Sequence, residues 1–368
     1  MNYIIFDNFR RNYLLPLSFT RPVCDIRIGI LTIREKWEKY LNTTTSTLTE
    51  YYLGEKFPIK KEANNILING SVIPNKQLAE QVAGLKPRQT LVDNNIIIAM
   101  HVTEADLDEN LEKVVNAHTD IQEVETIAPF LKLNYLWDIF TLNGKAMEDD
   151  FSLLTEGRSS AKLSATNRII GDNIFIEPGA KVEMATINAK SGPVYIGKDA
   201  EVMEGAMLRG PVAILNNAVI KMGAKIYGAS TFGPYCKIGG EVNNSIFQGY
   251  SNKAHDGFIG NSVIGEWCNL GADTNNSNLK NNYDEVKLWS YPDETFVNTS
   301  LQFCGLIMGD HSKCAINTMF NTGTVVGVSS NIFGPGFQRN FISSFAWGGT
   351  HGFSTFKFER AIEVAERV

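Results

Sequence analysis

The sequence has no block of basic residues and no arginine-rich arm. Its 34 Lys and Arg are outweighed by 40 Asp and Glu, for a net charge of −6. That excludes a nucleic-acid partner held mainly by phosphate neutralisation. No apolar stretch approaches bilayer-spanning length, and the opening residues MNYIIFDNFRR carry no signal-peptide pattern. Cysteine is scarce, five in 368 residues, with no CxxC pair and no Cys/His cluster. An odd number so dispersed fits free thiols in a reducing compartment. These absences predict a soluble cytoplasmic protein with neither membrane nor nucleic acid among its partners.

What is present is a period of six. Ile196, Val202, Leu208, Ile214, Ile220, Ile226, Phe232 and Ile238 follow one another at equal spacing. Six matches neither the helical repeat nor strand alternation, so no ordinary amphipathic element explains it. It is the pattern of a parallel β-helix of hexapeptides, one inward apolar side chain per face. Glycine follows several inward residues (Ile196-Gly197, Phe232-Gly233, Ile238-Gly239), where a bend leaves little room. The same phase predicts inward positions at Ile170, Ile176 and Val182. It predicts them again at Phe258, Ile264, Leu270, Met308, Cys314, Phe320, Val326 and Ile332. Cys314 is thereby a small core residue. A ladder of this kind is core and carries no chemistry, so function is expected where it breaks, at 244–257 and 276–303.

The rest of the chain divides around that repeat. Residues 1–125 read as an α/β unit, with buried strands at Ile4–Phe6, Ile66–Ile68 and Ile96–Met100 and helices over 29–41 and near 76–84. Asn94-Asn95 leads into the third strand. Residues 126–163 read as a helical linker, 164–337 as the repeat, and 338–368 as a C-terminal extension. That extension ends in a charged helix, Phe358 to Val368, expected against a neighbouring subunit or the N-terminal domain.

One stretch of the repeat carries a recognisable pattern. It runs His255-Asp256-Gly257-Phe258-Ile259-Gly260-Asn261-Ser262-Val263-Ile264-Gly265, then Asn269-Leu270-Gly271-Ala272-Asp273-Thr274, then Asn278-Leu279-Lys280. It resembles the acetyltransferase half of the bifunctional sugar-1-phosphate nucleotidylyltransferase/amino-sugar-1-phosphate acetyltransferases, which read roughly H-L-x-Y-(L/V)-G-D-S-x-I-G, N-(I/L)-G-A-G-T and N-(Y/L). The block from Leu306 to Phe320 also resembles archaeal members. The resemblance implies a left-handed β-helix, a homotrimer, and acetyl-CoA as co-substrate in a groove between adjacent β-helices of the trimer. The reaction it implies is acetyl transfer to a sugar-phosphate amine. An amine attacks only when unprotonated, and a histidine titrating near neutrality can take its proton. His255 matches the family's base and Asn278 the assisting asparagine. Asn269 and Ala272 match positions lining the substrate and acetyl-CoA pockets, with a backbone N–H near Ala272 as oxyanion donor. Lys280 and Lys287 are candidate phosphate-holding charges.

Several positions depart from the family pattern. Asn243 stands where a phosphate-binding lysine is expected, Phe258 replaces a tyrosine, Asn261 an aspartate, and Asp273 the second glycine of G-A-G-T. The N-terminal region resembles the family's nucleotidylyltransferase half through Pro16-Leu17-Ser18 and Thr20-Arg21-Pro22, yet Asp7-Asn8-Phe9-Arg10 replaces the glycine-rich loop. That removes part of a phosphate nest. Arg10, Arg11, Arg21 and Arg27 are the charges available instead, and Arg11, Arg21 and Arg27 are the candidate nucleotide-binding residues. The resemblance implies Mg²⁺ for nucleotidyl transfer, but Ser71 occupies the place of the metal-holding aspartate after Asn69-Gly70, and serine is a poor substitute.

The leading expectation is an enzyme of sugar-nucleotide synthesis that acetylates an amino-sugar 1-phosphate towards a UDP-N-acetylglucosamine-type product, with a nucleotidylyltransferase-like domain before it for nucleotide-sugar binding or a changed nucleotidyl transfer. One alternative is a non-catalytic scaffold or sensor that binds a nucleotide sugar or acyl-CoA. Another is an acyltransferase with a different acyl group or acceptor.

Overall fold

The computed structural model describes residues 1–94, 96–107 and 122–368, and two compact units are distinguished in it. Asn95 and residues 108–121, inside the stretch read as the α/β unit, lie outside the described residues.

The first unit comprises Met1–Leu14, Thr20–Ile26 and Leu31–Tyr135. Its six-stranded sheet runs in the order Ser46–Leu48, Asn2–Phe6, Asn64–Asn69, Ile96–Thr103, Gln89–Asp93, Gln122–Glu125. The first three strands are mutually parallel, and Ile96–Thr103 runs antiparallel to both of its neighbours. The helix expected over 29–41 starts only at Ile33. Thr32 caps it, accepting from Glu35 N–H while the Glu35 carboxylate accepts from Thr32 N–H, and this capping box fixes the boundary. Trp37 is wholly buried on its inner face and donates its indole N–H to the Val72 carbonyl. Residues 126–135 are not helical, and Leu131–Lys132 pairs antiparallel with Val72–Ile73. Helix within the expected linker is confined to Asp138–Thr141 and Asn143–Thr155.

The second unit comprises Leu15–Phe19, Arg27–Ile30 and Leu136–Val368. It is a parallel β-helix with three faces. Nine strands stack on one face and ten on another, the last of the ten an antiparallel return. The third face stacks six and, after an interruption, two more. The inward columns follow from register. Ile176, Ile196, Ile214, Phe232, Phe247, Ile264, Met308, Val326 and Ile342 align on the first face. Val182, Val202, Ile220, Ile238, Lys253, Leu270, Cys314 and Ile332 align on the second. Ile169, Ile187, Leu208, Ile226, Val242 and Ile259 align on the third. All eight residues of the founding hexad series are buried in this core. No helix among the described residues is long and apolar enough to cross a membrane.

The sequence reading needs four corrections here. Ile170 and Phe258 are each one residue out of phase. Their neighbours Ile169 and Ile259 occupy the column, because the step from Ile169 to Ile176 is seven residues and that from Ile259 to Ile264 is five. Residues 244–257 do not interrupt the repeat. Their coil is complete, and its signal is hidden because Lys253 fills an inward position with 1% exposure. The coils continue past 337 through Ile342 and Gly348, so the aromatic and glycine residues assigned to the extension form the last turn. Within the second unit, the terminal helix Phe358–Arg367 adjoins that last turn, with Phe358 near the Phe345 ring (centroids 6.0 Å apart).

The true excursion spans 277–303 and carries an antiparallel hairpin, Lys287–Ser290 with Thr295–Asn298.

Candidate active site

The second and third faces meet at a corner where consecutive coils present His255, then Ala272 and Asp273, then Ile316 and Asn317. The corner rungs are tied by Asp273 N–H to Asp256 O (3.0 Å) and Asn317 N–H to Ala272 O (2.8 Å). Asp273 and Asn317 both take the left-handed conformation (φ 56° each). Asp and Asn tolerate it through their short polar side chains, which accounts physically for Asp273 in the place of a glycine.

Beside this corner lies a groove of about 320 Å³ lined by His255, Asn269, Ala272, Asn252, Lys237 and Ile316, with backbone from the same coils. The structure therefore brings together three of the sequence-predicted residues, His255, Asn269 and Ala272. Lys237, Asn252 and Asn269 form one outward row, since each precedes an inward residue of the second face and they pair in register. The His255 ring is exposed at the groove, while its backbone is held from inside: Lys253 Nζ donates to the His255 carbonyl at 2.8 Å and to the Gly239 carbonyl at 3.3 Å. Burial pulls the Lys253 amine down to about 8, with Asp256 and Asp273 acting against that shift. Lys237, Asn252, Ile316 and Lys253 were not anticipated. The register of the second face is the signal that finds them.

Asn278 is not in the groove. Its amide donates to Asn261 Oδ1 at 2.8 Å and packs beside Gly260, where a Cβ would come within 2.6 Å of both its nitrogen and the Phe258 ring. Lys280 and Lys287 also lie elsewhere, in the 277–303 excursion, and Lys280 Nζ donates to the Glu285 carbonyl at 2.6 Å. Asn243 is a rung of the third face opposite Tyr227 and Gly260.

In the first unit, the C-terminal ends of the parallel strands gather Asp7, Asn8, Thr49, Asn69 and Ser71. The carboxylate of Asp7 accepts from Val23 N–H (2.9 Å) and the Thr49 hydroxyl (2.6 Å), and burial raises its pKa to about 6. Ser71 donates its hydroxyl to Asn69 Oδ1 (2.8 Å), which also accepts from Asn8 (3.2 Å). Magnesium needs several oxygens facing one space. Here the donors face one another, and among the described residues no trio of His, Cys, Asp or Glu is placed to hold a metal. These residues do not fit the ion.

Arg11 is buried, 3.7 Å from Asp7 Oδ2 and 3.6 Å from Glu50, and donates to the Tyr52 hydroxyl at 2.5 Å. Arg21 is also buried in this unit. Arg27 belongs to the second unit, where its side chain donates to the carbonyls of Ile30 (2.6 Å) and Gln248 (3.3 Å). The neighbouring Arg10 lies over the rings of Phe9, Tyr13 and Tyr135, 4.9–5.6 Å from their centroids.

Comparison with known proteins adds three solved folds and one family. The polysialic acid-specific acetyltransferase NeuO is 11% identical over 55% of this chain and 95% of its own, with a TM-score of 0.29. Arabidopsis UDP-N-acetylglucosamine acyltransferase is 14% identical over 57% and 76% (TM-score 0.23). The polysialic acid O-acetyltransferase OatWY is 12% identical over 51% and 88% (TM-score 0.21). No curated protein matches the sequence. Residues 3–159 match the sequence-family model described as sugar nucleotidyl transferase, a transferase family.

Proposed function

We propose that this chain is a transferase of sugar metabolism whose coiled domain moves an acyl group from acyl-CoA to a sugar. The observation that carries the reading is the groove in which His255, Asn269 and Ala272 converge at one corner of the solenoid. In it, His255 takes the proton of an incoming amine as that amine attacks the thioester carbonyl, and the thiolate of CoA leaves. Asn269 orients the sugar, and a backbone N–H at Ala272 receives the developing oxyanion. Acetyl is the proposed acyl group and an amino-sugar 1-phosphate the proposed acceptor. In a homotrimer, Asn278, Lys280 and Lys287 of one subunit would serve the groove of its neighbour, Asn278 to assist the base and the lysines to hold phosphate.

The test is incubation with acetyl-CoA and glucosamine-1-phosphate, following thiol release and the acetylated sugar by mass spectrometry. Wild type should turn over, and His255→Ala should lose at least a hundredfold in kcat while keeping its circular dichroism and oligomeric mass. Equal turnover by His255→Ala removes the base from the mechanism.

A second reading is favoured for the first unit by one observation: the Asp7 carboxylate is taken up by Val23 N–H and the Thr49 hydroxyl, and Ser71 by Asn69, which leaves no open carboxylate set. We propose that this unit, with Arg11 and Arg21, binds a nucleotide sugar without transferring the nucleotidyl group. Calorimetry with UDP-N-acetylglucosamine should show binding, and incubation with UTP and magnesium should release no pyrophosphate. Pyrophosphate release refutes it.

A further inference from the structure

A second cleft, of about 470 Å³, lies at the C-terminal end of the coils. It is built by the last rung Ala346–Gly349, its antiparallel return Gly352–Thr355, and the helix Phe358–Arg367. One wall is aromatic: Trp347 is 44% exposed and meets Phe356 with ring centroids 4.9 Å apart. The other wall is cationic. Lys357, Arg360 and Arg367 line it against a single carboxylate, Glu363, which pairs with Arg360 at 2.8 Å. A flat ring beside a two-charge excess of cations suits a ligand that has both an aromatic ring and several phosphates, which is a nucleotide.

The cleft is also aligned with the His255 groove. Asn269, which lines that groove, pairs with Lys313, Lys313 with Asn331, and Asn331 with Trp347, all on one outward row of the second face. Three rungs at the spacing of neighbouring strands separate Asn269 from Trp347 by about 14 Å. The arm of coenzyme A between its thioester sulfur and its pyrophosphate is about a dozen bonds, which at the rise of an extended chain spans about 14 Å. Lys313 and Asn331 lie on the row between, and the same two coils carry two exposed apolar side chains: Ile316 in the groove is 67% exposed, and Phe333 is 41% exposed and edge-on to Trp347 at 5.5 Å.

We propose that the C-terminal hairpin and helix form the subsite for the 3′-phosphorylated ADP portion of the acyl-CoA donor. Trp347 stacks on adenine, Arg360, Arg367 and Lys357 receive the phosphates, and the pantetheine arm runs over Phe333 and Ile316 to the groove. This rests on the acyl-transfer reading. It deepens it by giving the tail the part of the donor that does not react.

The test is calorimetric titration of the full chain with coenzyme A, dephospho-coenzyme A, pantetheine and 3′,5′-ADP, using wild type, Arg360→Gln, Arg367→Gln and His255→Ala. Both arginines are at the surface, so the glutamine variants keep the fold. Coenzyme A should bind wild type and His255→Ala alike and bind each arginine variant about tenfold more weakly, the equivalent of about 1.4 kcal/mol. Pantetheine should not distinguish the arginine variants from wild type, and dephospho-coenzyme A should bind more weakly than coenzyme A. Unchanged affinity of the arginine variants overturns the subsite while leaving acyl transfer standing. So does a change in their sedimentation mass at unchanged affinity, which makes the tail a subunit contact. Binding of 3′,5′-ADP as tight as coenzyme A overturns the link to the groove. Failure of coenzyme A to bind wild type, with no acetylated product, overturns the donor reading itself.

Discussion

Lys253 is the residue whose replacement says most about how the groove is supported. It fills an inward position of the second face between Ile238 and Leu270, 1% exposed, where every other coil from Val182 to Ile332 except that of Cys314 carries an aliphatic side chain. Burial lowers its pKa from 10.5 to about 8, with Asp256, Asp273 and Cys314 as the charged and titratable groups facing it. A lowering of that size corresponds to about 3 kcal/mol of cost for keeping the ammonium inside. The sign follows from proton counts. Below pH 8 both folded and unfolded chains hold the proton, and the cost is present in full. From pH 8 to 10.5 the unfolded chain still holds it and the folded chain does not, so stability rises with pH across that window. Lys253→Met fills the same column without a titrating group. The difference in unfolding free energy between wild type and Lys253→Met should therefore move by about 3 kcal/mol in favour of wild type between pH 7 and 10.5. Guanidinium unfolding at several pH values measures it, and the ionisations of other residues cancel in the difference. A difference that stays constant with pH refutes the reasoning.

Three further outcomes follow from the same structure. Gly257 adopts φ 115°, and a Cβ there would collide with the Thr274 carbonyl oxygen, so Gly257→Ala should cost about 3 kcal/mol or more by thermal unfolding. The control Gly205→Ala (φ 73°, nearest non-neighbouring atom 3.7 Å) should cost only about 1 kcal/mol; equal losses would refute the steric argument. Asp7, raised to about 6 by burial, keeps its proton in the folded chain after the unfolded chain has lost it, so stability falls as pH rises from about 4 to 6. Asp7→Asn should flatten that fall, and an unchanged slope counts against the assignment. Trp267 sits in the left-handed conformation (φ 59°), stacked 4.4 Å from Tyr250, so Trp267→Gly should unfold about 1 kcal/mol less readily than Trp267→Ala, the reverse of the order expected in an ordinary strand. Melting the two variants side by side decides it.

The fold was legible where physics forces repetition. Each coil needs one apolar residue per face, so Ile196 to Ile238 announces a solenoid without any other information. What stayed hidden follows from corners that vary in length. The five-residue step from Ile259 to Ile264 puts Ile259 in the column where a period of six points to Phe258, and Lys253 masks a coil that is structurally intact. In the first unit the strands at Ile4–Phe6, Ile66–Ile68 and Ile96–Met100 are apolar enough to read directly. Gln89–Asp93 and Gln122–Glu125 are not: one has its polar residues at its ends, and the other is exposed apart from a half-buried Val124.

The candidate groove was half legible for a related reason. His255, Asn269 and Ala272 fall within one coil of each other, and the stacking of successive coils converts that closeness in sequence into closeness in space. Asn278 sits at similar spacing, yet the chain by then faces another side of the prism, and the asparagine spends its amide on Asn261. Aromatic side chains show the same dependence on geometry. Tyr235, Tyr250, Trp267 and His311 occupy the left-handed corner between the first and second faces of successive coils and stack with ring planes within 14° of parallel. The inner rings, Tyr250 and Trp267, have both faces covered by their neighbours, and the stacking offsets the strain of the left-handed backbone. Trp347 lies at the end of the stack of coils, with no further coil to cover it, and meets its aromatic neighbours Phe333 and Phe356 at angles of 72° and 33°. The contrast favours Trp347 over the corner ladder as the ring for the proposed adenine contact, because the ladder's rings are spent on holding successive coils together.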